Sequence, residues 1–172
     1  MAEDIINRVA NSKLMTIDLE DYYPEGKRVL FDIKDWLFEG LVLREKEFRQ
    51  RALSYNWSNH QDDYMALFCS TDAIVPSWAF MLLTVHLEPF AKKIIVGDLE
   101  ALETSIYQDI INEIDTKPYV NKPIIIKGCS NKPVPDNAYT MLTNKLKPVA
   151  RSIMYGEACS SVPLFKSSSR NS

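Results

Sequence analysis

Between residues 62 and 160 the chain alternates short apolar runs with longer segments in which apolar side chains recur every three or four positions. The short runs are "YMALFC", "KKIIVGD", "KPIIIKGC" and "SIMYGEAC", and each predicts a buried strand. Between them lie "SWAFMLLTVHLEPF", "LEALETSIYQDIINEI" and "DNAYTMLTNKLKPVA". In the second of these Leu99, Leu102, Ile106, Ile110 and Ile114 fall on one face, as in an amphipathic helix. Asp136 or Asn137 is placed to cap the third. Strands alternating with helices predict an α/β fold with an open, mainly parallel sheet. Strands that are apolar throughout suit a sheet covered on both faces.

The first sixty residues have a different rhythm. "IINRVANS" predicts a short helix, "LMTIDLEDY" and "VLFDI" predict strands, and "YYPEGKR" between them predicts a turn. "WLFEGLVLREKEFRQRALSYNW" predicts a long helix, with Leu37, Leu41, Phe48, Ala52 and Tyr55 on one side and a solvated charged face on the other. The expected organisation is one domain: a cap layer over residues 1–60, an α/β core over 61–165 and a flexible polar tail over 166–172. No unit repeats in tandem.

Composition narrows the class. The chain of 172 residues is 46% apolar and 25% charged, which fits a single globular domain with a sizeable core. A net charge of −3 argues against nucleic-acid binding, which needs a concentrated basic face. The start "MAEDIINRVANS" is acidic and predicts no signal peptide. The longest apolar stretch, "AIVPSWAFMLLTVHL", contains Pro76 and His86 and is short for a membrane span. A cytoplasmic protein that is not membrane-bound is therefore expected, with its three cysteines kept reduced.

Those cysteines carry the candidate chemistry. Cys69, Cys129 and Cys159 each end a predicted strand, each is followed by serine, and a Val-Pro follows in "FCSTDAIVP", "GCSNKPVP" and "ACSSVP". Pro76 and Pro135 are placed to start helices. The cysteine separations are 60 and 30 residues, and one crossover unit is about 30 residues long. The C-terminal strand ends of an open parallel sheet form its ligand-binding edge. A strand order of 2-1-3-4 over residues 62–160 would make the three cysteine strands neighbours.

A shared three-thiolate site would bind zinc or an iron–sulfur cluster and leave a fourth position open. Ser70, Ser130 and Ser160 are placed to cap turns or donate to a thiolate, and Asp72 or Asn131 to complete or support the site. A thiolate enzyme is the second reading, with Cys69 and Cys129 ahead of helix starts. Its weakness is the base: His86 lies far along the following helix, and His60 precedes the first cysteine strand at the opposite edge. The third reading is a non-catalytic module that binds an anion or a partner at strand-end loops. No glycine-rich dinucleotide or phosphate loop is present.

The runs "DLEDYYPEG", "FDIKDWLFEGLVLREKEFR", "FCSTDAIVPSWAFMLL", "IIIKGCSNKPVP" and "GEACSSVPLFK" resemble the uncharacterised bacterial family grouped as domain of unknown function 2480. The resemblance spans nearly the whole chain and assigns no activity. It implies a genomic setting near iron–sulfur assembly genes, and hence partners among iron–sulfur assembly proteins. Cys69, Cys129 and Cys159 match the cysteine segments of that family.

Overall fold

The computed structural model describes residues 14–128 and 131–168. Among these residues seven strands and four α-helices follow one another: β1 (Met15–Ile17), β2 (Arg28–Asp32), α1 (Glu45–Ser54), β3 (Tyr64–Phe68), α2 (Ser77–Leu87), β4 (Lys93–Val96), α3 (Leu99–Glu113), β5 (Pro123–Ile126), α4 (Asp136–Leu146), β6 (Ser152–Glu157) and β7 (Ser160–Lys166). The expected α/β class and mainly parallel pairing hold. Among the described residues no helix is long and apolar enough to cross a membrane.

The strands form two sheets, β1-β5-β6-β7 and β2-β3-β4. This corrects the single 2-1-3-4 order. Its two outer adjacencies exist, as β3 beside β4 and β5 beside β6. The central one, β3 beside β5, does not. Early strands take that place: β2 pairs with β3, and β1 pairs with β5. The first sixty residues therefore supply a strand to each sheet. Two compact units result, one from residues up to Tyr23 together with Tyr107 onward, the other Pro24–Ile106. Each has its own core. One centres on Leu19, Tyr107, Ile124, Ile126, Leu142 and Ile153, the other on Ile33, Phe48, Met65, Leu67 and Leu83.

The two units are built to one plan. "VPSWAFMLLTVHLEPFAKKIIVGD" (75–98) and "VPDNAYTMLTNKLKPVARSIMYGE" (134–157) share Val, Pro, Ala, Leu, Thr, Leu, Pro, Ala, Ile and Gly at matching positions, offset by 59 residues. "DLEDYYPEG" (18–26) and "DIKDWLFEG" (32–40) match at an offset of 14. The structure keeps both offsets. Ile17 pairs with Ile126 as Phe31 pairs with Leu67, and Ile124 pairs with Ile153 as Met65 pairs with Ile94. Ala79, Leu83 and Leu87 are fully buried, and so are Ala138, Leu142 and Leu146. Asp62 and Asn121 both take left-handed φ, at 63° and 55°. Their N–H groups bond Phe90 O and Val149 O, each at a matching position. The chain holds a duplicated α/β unit whose copies are interleaved, β1 and β2 standing together before the rest. A search for tandem units misses this arrangement.

Local chemistry explains the remaining differences. The strand expected over "LMTIDLEDY" stops at Ile17 because the Asp18 side chain accepts the Glu20 N–H at 3.0 Å and starts a 3-10 turn, Leu19–Tyr22. Asp32 does the same for Lys34 N–H. The long helix expected from residue 36 begins only at Glu45. Glu39 and Gly40 take φ of 51° and 70°, closing a tight turn bridged by Phe38 and Val42. Neither Asp136 nor Asn137 is the cap of α4: Pro135 holds the N-cap position, as Pro76 does for α2. β7 was not expected, since Pro163 interrupts its pattern. It survives as an edge strand, where a missing N–H is tolerated. The expected N-terminal helix over "IINRVANS" and the last four tail residues lie outside the described residues.

Candidate functional site

Cys69 follows the last residue of β3 and is half-buried. Its Sγ lies 3.4 Å from Thr71 Oγ1. Thr71 donates its only hydroxyl proton to Gly40 O at 2.7 Å, so in the Cys69 contact the thiol is the donor. That is the geometry of a satisfied neutral thiol. Beside it, Asp32 accepts the N–H groups of Lys34 and Ser70 at 3.0 and 3.1 Å. Burial works to raise the Asp32 pKa, but the Ser70 side chain, these two N–H groups and the Lys34 charge outweigh it and hold the carboxyl below its ordinary value. Ser70 thus serves Asp32, and Asp72 is exposed on the following loop.

In the other unit the matching loop follows β5. Lys127 pairs with Asp18 at 3.1 Å, and Asn131 N–H bonds Glu20 Oε2 at 3.0 Å. Cys129 and Ser130 lie outside the described residues. Cys159 is exposed in the two-residue turn joining β6 to β7, and Ser160 opens β7 opposite Glu157. Cys159 stands outside the repeat, since its matching position in the other unit is Glu100, on α3. The strands before Cys69 and Cys159 belong to different sheets, so the strand-adjacency argument for a shared site fails. Among the described residues no three His, Cys, Asp or Glu side chains gather as a metal would need.

Both histidines have structural partners. His60 ends a 3-10 turn, Trp57–His60, ahead of β3 and so at the edge away from Cys69. It is buried, with Tyr55 Oη 2.9 Å from Nε2 and Asp63 Oδ2 3.3 Å from Nδ1. His86 stacks on Trp57 with ring centres 5.5 Å apart. Among the described residues neither is set beside a cysteine as a base.

What the fold does open at the C-terminal end of β5 is a cleft of about 520 Å³ between α4 and the β6–β7 hairpin. Ile126 and Leu164 give it apolar walls. Tyr139 and Tyr155 meet edge to face, with centroids 5.7 Å apart and planes at 86°. Tyr155 Oη donates to Gly128 O at 3.3 Å. Burial, and after it Tyr155, Asp18, Asp136 and Glu20, push the Tyr139 phenol above its usual value, keeping it an O–H donor. Thr140 and Thr143 also line the cleft, but they spend their hydroxyl protons on helix carbonyls, Asn137 O and Tyr139 O. The cationic and amide donors facing the cleft are Lys147 and Asn144.

The duplicate shows that this lining is not demanded by the fold. On the same helix positions of α2, Thr140 becomes Met81, Asn144 becomes Val85 and Lys147 becomes Glu88. Tyr155 of β6 becomes Val96 of β4. One scaffold thus carries two unlike surfaces. The cysteine motifs drew attention to the strand ends and away from these residues. The signal that would have found them is the position-by-position comparison of the two copies. The model of a protein family of unknown function, DUF2480, matches residues 3–167. No curated protein and no solved structure matches the chain.

Proposed function

Because the chain belongs to the DUF2480 family, to which no function is attached, we propose its role from its own residues: a non-catalytic binding module that takes a small planar organic anion in the cleft between α4 and β6–β7. The observation that carries this reading is the polar set Thr140, Asn144, Lys147 and Tyr155, which stands where the duplicate has Met81, Val85, Glu88 and Val96. The cleft volume is within the usual range for small-molecule sites, and its apolar walls with a few convergent polar groups fit that class. An anionic group would meet Lys147 and Asn144, and a ring would lie against Tyr155 and Leu164.

Saturation-transfer NMR with a panel of aromatic carboxylates, from benzoate to indole-3-carboxylate, tests this. Transfer to at least one member is expected, and its loss in the Asn144→Val, Lys147→Glu double variant. No transfer, or equal transfer to the variant, would reject the reading. The three-thiolate reading, with zinc or an iron–sulfur cluster and assembly partners in a cytoplasm, rests on the spacing of Cys69, Cys129 and Cys159 in the sequence. Iron, sulfide and zinc analysis of anaerobically purified protein decides it separately.

A further inference from the structure

The duplication leaves one position unequally filled. In the first unit β6 carries β7 on its outer side, antiparallel, with Tyr155 opposite Val162 and Ile153 opposite Phe165. In the second unit β4 matches β6, and among the described residues no strand pairs with its outer side. The surface that β7 flanks in the first unit is polar, whereas its match in the second is apolar and open. Val96 is 58% exposed and Met81 66% exposed, with half-buried Phe80 beside them. Helix α2 holds no Asp, Glu, Lys or Arg.

We propose that this edge is a homodimer interface, in which β4 pairs antiparallel with β4 of a second copy and joins two three-stranded sheets into one of six. Three features favour a second copy as the occupant. Pairing centred on Ile95, so that Ile95 faces Ile95 of the second copy, sets Ile94 opposite Val96 and Lys92 opposite Asp98 of that copy. It uses the outward N–H and C=O groups of Ile94 and Val96, since Gly97 N–H is turned to Leu67 O of β3. It also brings the basic end, Lys92 and Lys93, toward the acidic end, Asp98 and Glu100, of the second copy. Opposite charges thus meet at both ends, and like charges at neither. The helices match as well. An α2 resting over β3 and β4 would lie about two strand spacings, or ~9.6 Å, from its mate, within the usual interaxial distance of packed helices. Ser77 and Thr84 are small enough for that approach, and Phe80 and Met81 supply the contact. Finally, both copies bring the same uncovered patch, so an isologous contact covers the two together.

Light scattering coupled to size exclusion tests this on the full chain at about 100 µM, far above the Kd of a specific micromolar dimer. The expected mass is twice the 19.7 kDa of the chain, falling to the single-chain value in the Met81→Lys, Val96→Lys variant. Both sites are exposed, so far-UV circular dichroism should be unchanged. A second measurement does not depend on that variant. In a background with all three native cysteines changed to serine, Ile95→Cys should give a covalent dimer under mild oxidation, and Lys93→Cys, whose mate lies four residues away along the strands, should not. A monomer at that concentration, a dimer indifferent to the lysine pair, or a monomer that takes up an added strand peptide instead would overturn the proposal.

Discussion

Gly128 and Tyr155 are in direct opposition: a Cβ built on residue 128 would stand 2.6 Å from Tyr155 Cζ. Real carbon contacts do not come that close, so the tyrosine ring occupies the space a side chain at 128 would need. Ring and loop are also tied by the bond from Tyr155 Oη to Gly128 O. Position 128 has no left-handed φ, so the constraint is one of volume and not of backbone conformation.

Gly128→Ala should therefore displace Tyr155 and spoil the cleft. Overpacking of this kind typically costs about 1–3 kcal/mol, read as a lowered urea midpoint. Tyr155→Ala in the same chain removes the obstacle, so the double variant should be no less stable than Tyr155→Ala alone. A fully additive loss would show that the ring is not what residue 128 meets.

Arg28 and Glu103 form an ion pair at 2.6 Å with side chains only 11% and 8% exposed. The guanidinium also donates to Pro24 O and Gly26 O and lies over the Tyr64 ring, 4.7 Å from its centre. Removing one partner of such a pair strands a buried charge, and the usual loss is about 3–5 kcal/mol. Glu103→Ala should show a loss of that order in chemical denaturation. A loss under about 1 kcal/mol, the range of exposed pairs, would mean that water reaches Arg28 freely.

The duplication makes a paired prediction. Leu83 of α2 and Leu142 of α4 occupy matching positions, and both are fully buried. Leu83→Ala and Leu142→Ala should each cost about 2–5 kcal/mol through lost burial and a residual cavity. The exposed neighbour Thr140 should change stability little when replaced by alanine. A tolerant Leu142 beside an intolerant Leu83 would mean that the two cores are not equivalent.

The elements of this fold were legible, and their partners were not. "YMALF", "KIIV", "PIII" and "SIMYGE" announce strands by apolar run length, and α3 announces itself through Leu102 and Ile106. Periodicity says that a segment is a strand, but it does not say which strand it joins. β1 meets β5 across more than a hundred residues, and nothing local in "MTI" marks that choice. The 60-residue gap between Cys69 and Cys129 equals two crossover units in length. The repeat offset is 59 on both sides of that loop, so Cys129 matches Ser70 and Cys69 matches Gly128. That one-position displacement hides the match, because the cysteines fall out of step with the Val-Pro pairs. The cleft residues escaped for another reason. Thr140, Asn144 and Lys147 look like an ordinary solvated helix face until α2 shows what the same face carries elsewhere.

The thiols should differ in reactivity. Cys159 is exposed at the hairpin turn, whereas Cys69 is half-buried and donates to Thr71. Titration of the native protein with a disulfide reagent should show a fast phase that Cys159→Ser removes and Cys69→Ser leaves in place. Thr71→Val should speed modification of Cys69, since it frees the thiol from its acceptor. A fast phase that follows Cys69 instead would revive the thiolate-enzyme reading.

Asp32 predicts a pH dependence of known sign. Its folded-state pKa lies below the ordinary value because hydrogen bonds from Ser70 and Lys34 outweigh the burial that opposes them. At intermediate acidity the folded chain therefore binds fewer protons here than the unfolded chain. The stabilisation is complete above the unfolded value, about 3.9, and disappears as the pH falls through the folded one. Asp32→Asn should be less stable than wild type at pH 7, and the gap should close progressively below about pH 4. Paired urea denaturations from pH 7 to pH 2 measure it. A gap that stays constant over that range would mean that the difference does not come from the Asp32 charge, and no gap at any pH would mean that the turn at Lys34 needs only an acceptor oxygen, which asparagine also provides.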